Sequence, residues 1–575
     1  MRWTLKPKPS EKIVVKLVKD LAIDNTIASL LVQRGIETYD DAKTFFRPSL
    51  TNLHDPFLMQ DMQKAVDRIE MAIEKSENIL VFGDYDVDGT TSVALVSSYL
   101  KTYYPNVATY IPDRYDEGYG VSYQGIDFAE DNDFTLIIAL DCGIKAIDKV
   151  DYATKKGIDF IICDHHRPGN ELPNAVAILD AKRDDCSYPY DELCGCGVGF
   201  KLIQALASHK GQGIDDLTEY LDLVATAIAA DIVPMTGENR VLAYYGLHQI
   251  NTNPRLGFKA IIDQLKKDAL TITDVVFIIA PRINAAGRMK HGNHAVELLV
   301  SENLESAMEF AATIEIYNSD RKDLDKKITQ EALIQIEENK EQGNFTSVVY
   351  NESWHKGVIG IVASRLTETY YRPTLVFTKS GAKLAASARS VSGFDVYDAL
   401  EASSEYIEQF GGHKYAAGLT LLEEDYPKFK EKFEQVVKET MPEKLRSPEL
   451  KIDAEISLAE ISPKMIRIID QFGPFGPKNM KPVFVARSLK DNGYGRTVGA
   501  DDAHLKLSIV SGIHKEIFNA IGFGLGKNYE QIKDGQLFDA VFTIEENVWN
   551  GNTSLQLNLK DIKVCHSEQS EESFK

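Results

Sequence analysis

Ile79-Leu80-Val81-Phe82-Gly83-Asp84-Tyr85-Asp86-Val87-Asp88-Gly89-Thr90-Thr91-Ser92 opens with four apolar residues and then turns polar. A short continuous apolar run suits a strand buried on both faces. Three carboxylates follow at alternate positions, and open α/β sheets bind ligands outside the carboxyl ends of their strands. Like charges this close repel, so the group is expected to need a cation. Gly89 lets the chain turn into a helix whose N-terminus can face a phosphate. Taken alone, the stretch also reads as an aspartate-rich turn capping a helix.

The pattern recurs downstream. Phe134–Leu140 runs into Asp141-Cys142-Gly143, Phe160-Ile161-Ile162 into Cys163-Asp164-His165-His166, and Ala175–Leu179 into Asp180. Helix-like segments, Thr91–Tyr103 and Ile144–Lys156, lie between them. This alternation predicts a parallel sheet covered on both faces. Asp231 ends an apolar helix in Ala229-Ala230-Asp231-Ile232-Val233-Pro234. Acids and imidazoles at three strand ends and one helix end can converge on one rim of the sheet. A mixed carboxylate and imidazole set suits Mn²⁺, with Mg²⁺ as the other choice. Zinc is a poorer match, because no thiolates join the set. Two ions about 3.5–4 Å apart, sharing a carboxylate, suit phosphoester or phosphoanhydride hydrolysis. Nothing favours ATP use: there is no GxxxxGK[ST], and the first strand is not followed by GxGxxG.

The chain has 575 residues, enough for about three to five domains. Lys and Arg number 64 against 86 Asp and Glu, a net charge of -22 that excludes a wholly basic, histone-like binder. A local basic groove on an acidic molecule remains compatible with nucleic-acid chemistry. No apolar run is long enough for a membrane span and the start lacks a signal peptide's apolar stretch, so a cytoplasmic protein is expected. No CxxC pair occurs, and the six cysteines, Cys194 and Cys196 included, read as reduced buried side chains.

The expected order is an N-terminal helical region (1–75), a parallel-sheet catalytic domain (76–240), a helical connector (241–340), a smaller α/β domain (341–445) and a C-terminal β-barrel (446–565). Glu302 to Asn339 predicts one long connecting helix. Leu505, Leu507 and Ile509 alternate, as do Leu555, Leu557 and Leu559, which fits an antiparallel barrel or sandwich. The polar tail 566–575 is expected to be disordered.

Gly83–Ser92, Leu140-Asp141-Cys142-Gly143, Asp164-His165-His166 and Asp231 resemble the four motifs of the DHH phosphoesterase family. Gly411-Gly412-His413 resembles the GGH motif of the associated DHHA1 domain. Pro281-Arg282-Ile283-Asn284-Ala285-Ala286-Gly287-Arg288-Met289 and Phe472-Gly473-Pro474-Phe475-Gly476-Pro477-Lys478-Asn479 are similar to segments of the RecJ branch. The resemblance covers nearly the whole chain and departs locally at Met480, where the family often has proline. It implies an OB-like last domain and a 5′ to 3′ exonuclease specific for single-stranded DNA, releasing 5′-mononucleotides with Mn²⁺ or Mg²⁺ (two ions) in recombination and repair. A helicase and a single-strand-binding protein are implied as partners. It further implies a metal cluster of Asp84, Asp86, Asp88, Asp141, His165 and Asp231, with Asp141 as the bridge. His166 would then face the scissile phosphate or the leaving oxygen, and Asp164 would orient the histidines.

For substrate, Arg282, Asn284 and Arg288 are candidate phosphate ligands, arginine being suited to bidentate contact. Ser387, Arg389, Gly411, Gly412 and His413 are expected to build a pocket for a 5′-phosphate or terminal nucleotide. Tyr494, Arg496 and Trp549 could meet single strands in the barrel, though ordinary packing or exposure explains them as well. The alternative function is a DHH-type phosphodiesterase or pyrophosphatase acting on short oligonucleotides or small phosphates. Such enzymes are typically much shorter than this chain. A third reading, a scaffold that has lost its metal ligands, conflicts with the complete acid and histidine set.

Overall fold

The computed structural model describes residues 1–511, 516–549 and 552–565, without the side chains of 548, 549, 552 and 553. The tail 566–575 and the Trp549 side chain lie outside the described residues. Two compact units form: Leu50–Ser447, and Met1–Ser49 together with Pro448–Lys575.

The larger unit contains the predicted parallel sheet. Its strands lie in the order Val107–Tyr110, Asn78–Gly83, Phe134–Leu140, Asp159–Cys163, Ala177–Leu179, all parallel. The central strands are apolar and buried because helices cover both faces, splitting the core into two clusters on either side of the sheet. Taken in chain order, this sheet's second strand lies outside its first, while its third lies on the first strand's other side. The strand order therefore reverses between Asn78–Gly83 and Phe134–Leu140, the position where doubly wound sheets open a crevice. Gly83 pairs with Leu140, Leu140 with Cys163, and Cys163 with Leu179. That register sets Asp84, Asp141, Asp164 and Asp180 in one row along the carboxyl rim.

Helices follow to the 35-residue helix Leu304–Glu338, as the unbroken charged pattern predicts. Its last turns carry Ile328, Ala332 and Ile336 into the core under a second sheet. That sheet runs Gln409–His413, Ala416–Leu421, Lys383–Arg389, Thr374–Ser380, Ser347–Tyr350, parallel only between the last two strands. It is a mixed α/β layer, with Tyr426–Thr440 packed on it through Phe429 and Phe433.

The smaller unit is built on five strands, Phe484–Asp491, Phe538–Trp549, Asn552–Val564, Ile517–Gly522 and His504–Ser511, closed by pairing of Phe484–Asp491 with His504–Ser511. Leu505, Leu507, Ile509, Leu557 and Leu559 point inward, as their alternation predicts. Tyr494 and Arg496 are exposed. The expected helical region 1–75 divides. Arg2–Leu5 is a strand parallel to Glu449–Ile452, and Glu11–Leu21 and Asn25–Val32 share the barrel's core. Met62–Glu74 packs in the catalytic core instead. The division follows the apolar faces: Leu17, Leu30 and Leu31 meet barrel residues, whereas Met62, Val66 and Ile69 meet the parallel sheet's helices.

Candidate metal centre and substrate cleft

Each acid of the cluster is placed by backbone geometry. Asp86 caps the helix Val87–Lys101, accepting the Gly89 N–H at 3.1 Å. Asp88, in the first turn, is buried and accepts the N–H groups of Gly195 and Cys196, each at 2.7 Å, so it caps the helix Gly195–His209 across the crevice. Gly195 has to be glycine, because a Cβ there would stand 2.5 Å from the Cβ of Asp141. Asp141, just past the strand end, takes a left-handed φ of 59° and is buried. Asp231 closes the helix Leu221–Ala230.

These elements converge on His165. Its Nε2 lies 3.1 Å from Asp141 Oδ1, 3.7 Å from Asp231 Oδ2 and 3.8 Å from Asp88 Oδ2. Asp141, His165 and His166 form one grouping with metal-ligand spacing, and Asp88, His165 and Asp231 another. Asp84 adds a buried carboxylate whose Oδ1 accepts the Gly120 N–H at 3.3 Å.

The electrostatics are those of a cation site. Burial, then the charge of Asp86, raises Asp84 to about 8 and Asp231 to about 7. Burial and neighbouring acids hold Asp88 and Asp141 well above the usual carboxylate range. Burial pushes His165 down to about 3, so its imidazole is neutral, the form that binds metal. Asp84 Oδ2, Asp141 Oδ1 and His165 Nε2 are buried without hydrogen-bond partners among the described residues. Unpaired buried acceptors are costly. Carboxylate oxygens with one or two imidazole nitrogens fit Mn²⁺ or Mg²⁺.

Asp164 behaves differently. Burial would raise it, but the His166 ring and the Ile144 amide outweigh that and hold it at about 2. It accepts from the N–H groups of Ile144, His165 and His166 and lies 2.8 Å from His166 Nδ1. It therefore fixes both histidines. Burial alone would lower His166, but Asp164 reverses the shift and raises it. The other ring nitrogen, Nε2, lies 3.2 Å from the Tyr119 hydroxyl.

The cluster opens into a cleft within the larger unit, between the two sheets. One cavity of about 870 Å³ is lined by Asp84, Asp86, Asp141, His166 and Asp231 on one side, and by Gly411, Gly412 and His413 on the other. A second, of about 560 Å³, is lined by Arg114, Arg288, Lys356, Ser387, Arg389 and Gly411. Tyr85, Arg114, Tyr119, Arg389, Gln409, Gly411 and Gly418 line both. Burial, then Arg114 and Arg389, lowers Arg288 to about 9, the signature of crowded cations.

Arg282 does not join this pocket. It pairs with Glu315 at 2.6 Å and donates to the Ile278 carbonyl, fastening its helix to Leu304–Glu338. Asn284 is half-buried and lines neither cavity. The helix Ala280–Met289 instead brings Gly287 against the aspartate loop, where a Cβ would stand 2.5 Å from the Tyr85 carbonyl oxygen. Sequence reasoning missed Tyr85, Arg114, Tyr119, Gln409 and the capping amides of Gly195 and Cys196. Arg114 and Tyr119 belong to the stretch Asp113 to Gly120, a polar loop with no periodicity to mark it. The glycines at 195, 197 and 199 were the available signal for the amides.

Comparison with known proteins places these features together. Models of the DHH family N-terminal domain, the DHHA1 domain and the RecJ OB domain match residues 78–228, 342–439 and 452–561. The chain is 37% identical over 571 residues to the single-stranded-DNA-specific exonuclease RecJ of Bacillus subtilis (strain 168), covering 98% of this chain and 71% of that one. It is 32% identical over 527 residues to the Escherichia coli (strain K12) protein of the same name, covering 88% and 90%. The crystal structure of RecJ in complex with Mn²⁺ from Thermus thermophilus shares the fold, with a TM-score of 0.82 at 24% identity over 98% of this chain and 80% of that chain. A structure of exonuclease RecJ bound to manganese matches with a TM-score of 0.60 at 29% identity over 70% of this chain and 99% of that one. By its three domain matches and its full-length identity, the chain belongs to the RecJ family of single-stranded-DNA-specific exonucleases.

Proposed function

We propose that the chain hydrolyses single-stranded DNA from the 5′ end, releasing 5′-mononucleotides, with Mn²⁺ or Mg²⁺ held by Asp84, Asp86, Asp88, Asp141, His165 and Asp231. The observation that carries this reading is the adjacency of two pockets: an acid and imidazole cluster, and a cation pocket sharing the Arg114, Tyr119 and Arg389 wall. Bound divalent ions supply a water of lowered pKa and offset charge on the reacting phosphate. The protein's own residues do the rest. His165 is common to the two metal-ligand groupings, and Asp141, 3.1 Å from its Nε2, is the proposed bridge. Asp164 keeps His166 oriented through Nδ1 and favours its protonated form, in which Nε2 can donate toward the leaving oxygen. Arg288, Arg389 and Ser387, with the Gly411 to His413 backbone, hold a terminal 5′-phosphate, which sets the polarity.

Family membership favours this over a small-phosphate hydrolase, and the barrel unit supports a long substrate. Among the described residues no helix is long and apolar enough to cross a membrane. The reading includes recombination and repair in the cytoplasm, beside a helicase and a single-strand-binding protein. The test is digestion with Mn²⁺ of a single strand, the matching blunt duplex and a dinucleotide. Of the two longer substrates, only the single strand is expected to be degraded. Equal digestion of the duplex refutes strand specificity, and a rate independent of oligonucleotide length favours the small-substrate alternative.

A further inference from the structure

Two lysines of the metal-side cavity have no role in the assignments above. Lys145 lies in the turn after Asp141-Cys142-Gly143, and Lys149 in the first turn of the helix Ile147–Lys155. Both line the metal-side cavity and neither lines the arginine pocket. Among the described residues neither lies within ion-pair distance of a carboxylate, although the chain carries 86 acids. Lys149 sits at the positive end of its helix dipole, where a cation does not stabilise the helix. An anion entering this cavity meets two cations that no carboxylate of the described residues neutralises.

The two cavities divide the charged groups of the cleft into three sets. Arg288 and Lys356 belong to the arginine pocket only, Arg114, Tyr119 and Arg389 to both cavities, and the acids with Lys145 and Lys149 to the metal side only. A strand whose 5′-phosphate sits among the arginines places its scissile phosphate at the acids. The next phosphates then run along the remaining wall. We propose that Lys145 and Lys149 hold the phosphodiester backbone on the 3′ side of the scissile bond, and so set the preference for long strands over dinucleotides. This rests on the exonuclease reading above.

The test compares KM for a 5′-phosphorylated thymidine dinucleotide, which has no phosphate beyond the scissile one, with KM for a 5′-phosphorylated oligothymidylate of about twelve residues, long enough to span the wall at one phosphate contact per lysine. In Lys145→Glu/Lys149→Glu, KM for the long strand rises about tenfold or more, while that for the dinucleotide moves by less than about threefold. The slope of log KM against log salt for the long strand falls by about 1.4, two contacts at about 0.7 each. Lys145→Arg/Lys149→Arg restores the length preference, which excludes misfolding as the cause. A Glu variant that keeps the wild-type ratio of the two KM values and its salt slope overturns the assignment, as does an equal rise for both substrates. A wild-type protein that cleaves neither substrate overturns the exonuclease reading itself.

Discussion

His165 Nε2 stands 3.1 Å from Asp141 Oδ1, and neither atom has a hydrogen-bond partner among the described residues. Burial keeps the imidazole neutral, with its titration pushed down to about 3. Where Nε2 carries the lone pair and Asp141 is ionised, as metal binding requires, two acceptors face each other inside the protein. That is unfavourable unless a cation lies between them. The pair is the clearest physical reason to assign a metal centre, and it follows from the strand register that levels Asp141 with Asp164, the residue before His165.

Metal-free protein should lose stability as pH rises through neutrality. Asp84 titrates at about 8 and Asp231 at about 7, against about 4 in an unfolded chain. Between these limits the native state binds more protons than the unfolded state, so stability falls as pH rises. Asp164, held at about 2, acts in the opposite sense but only below about pH 4. Mn²⁺ has to displace the bound protons, so the rise in Tm it causes should grow from about pH 6 to about pH 8. Calorimetry with EDTA and with excess Mn²⁺ checks this. In Asp84→Asn/Asp231→Asn the metal-free slope should flatten; an unchanged slope contradicts the assignment.

Asp164→Asn should leave metal binding largely intact and slow hydrolysis by about 10–100-fold, the usual cost of losing a residue that orients a site's histidines. The pH profile should shift with it, because the cationic form of His166 loses its carboxylate partner. A variant with a wild-type rate and profile contradicts the orienting role.

Gly195→Ala should fold but bind Mn²⁺ more weakly. Its Cβ would stand 2.5 Å from Asp141 Cβ and 2.8 Å from Asp141 Oδ1, with no flexible side chain able to yield. A fall of about 10-fold or more in Mn²⁺ affinity by calorimetry is expected. Wild-type affinity would show that the helix start does not set the bridge's position.

Arg288→Ala should weaken binding of 5′-phosphorylated strands and reduce the salt slope by about 0.7, one phosphate contact. Strands ending in a 5′-hydroxyl should be affected less. Anisotropy titrations over a salt series measure both quantities.

The sheet and the cluster were legible because both rest on local pattern. Apolar runs ending in Asp84, Asp141, Asp164 and Asp180 announce strand ends, and parallel strands must share a rim. The barrel's alternation at Leu505, Leu507 and Ile509 was legible for the same reason. What escaped depends on which face a side chain takes. Arg282 and Arg288 share a helix and a charge, yet Arg282 turns to Glu315 while Arg288 enters the cleft. Arg2–Leu5 escaped as a strand because its partner, Glu449–Ile452, is distant in the chain. Asp88 was read as a ligand, but its contacts with the Gly195 and Cys196 amides needed the tertiary structure to appear.

The most direct test of the central claim uses a single-stranded oligonucleotide labelled at its 3′ end, with Mn²⁺, beside an Asp141→Ala control. Attack from the 5′ end at the Asp141–His165 cluster predicts a ladder of progressively shorter labelled strands from the wild type and none from Asp141→Ala. Immediate release of a labelled mononucleotide, or an undiminished ladder from Asp141→Ala, would contradict it.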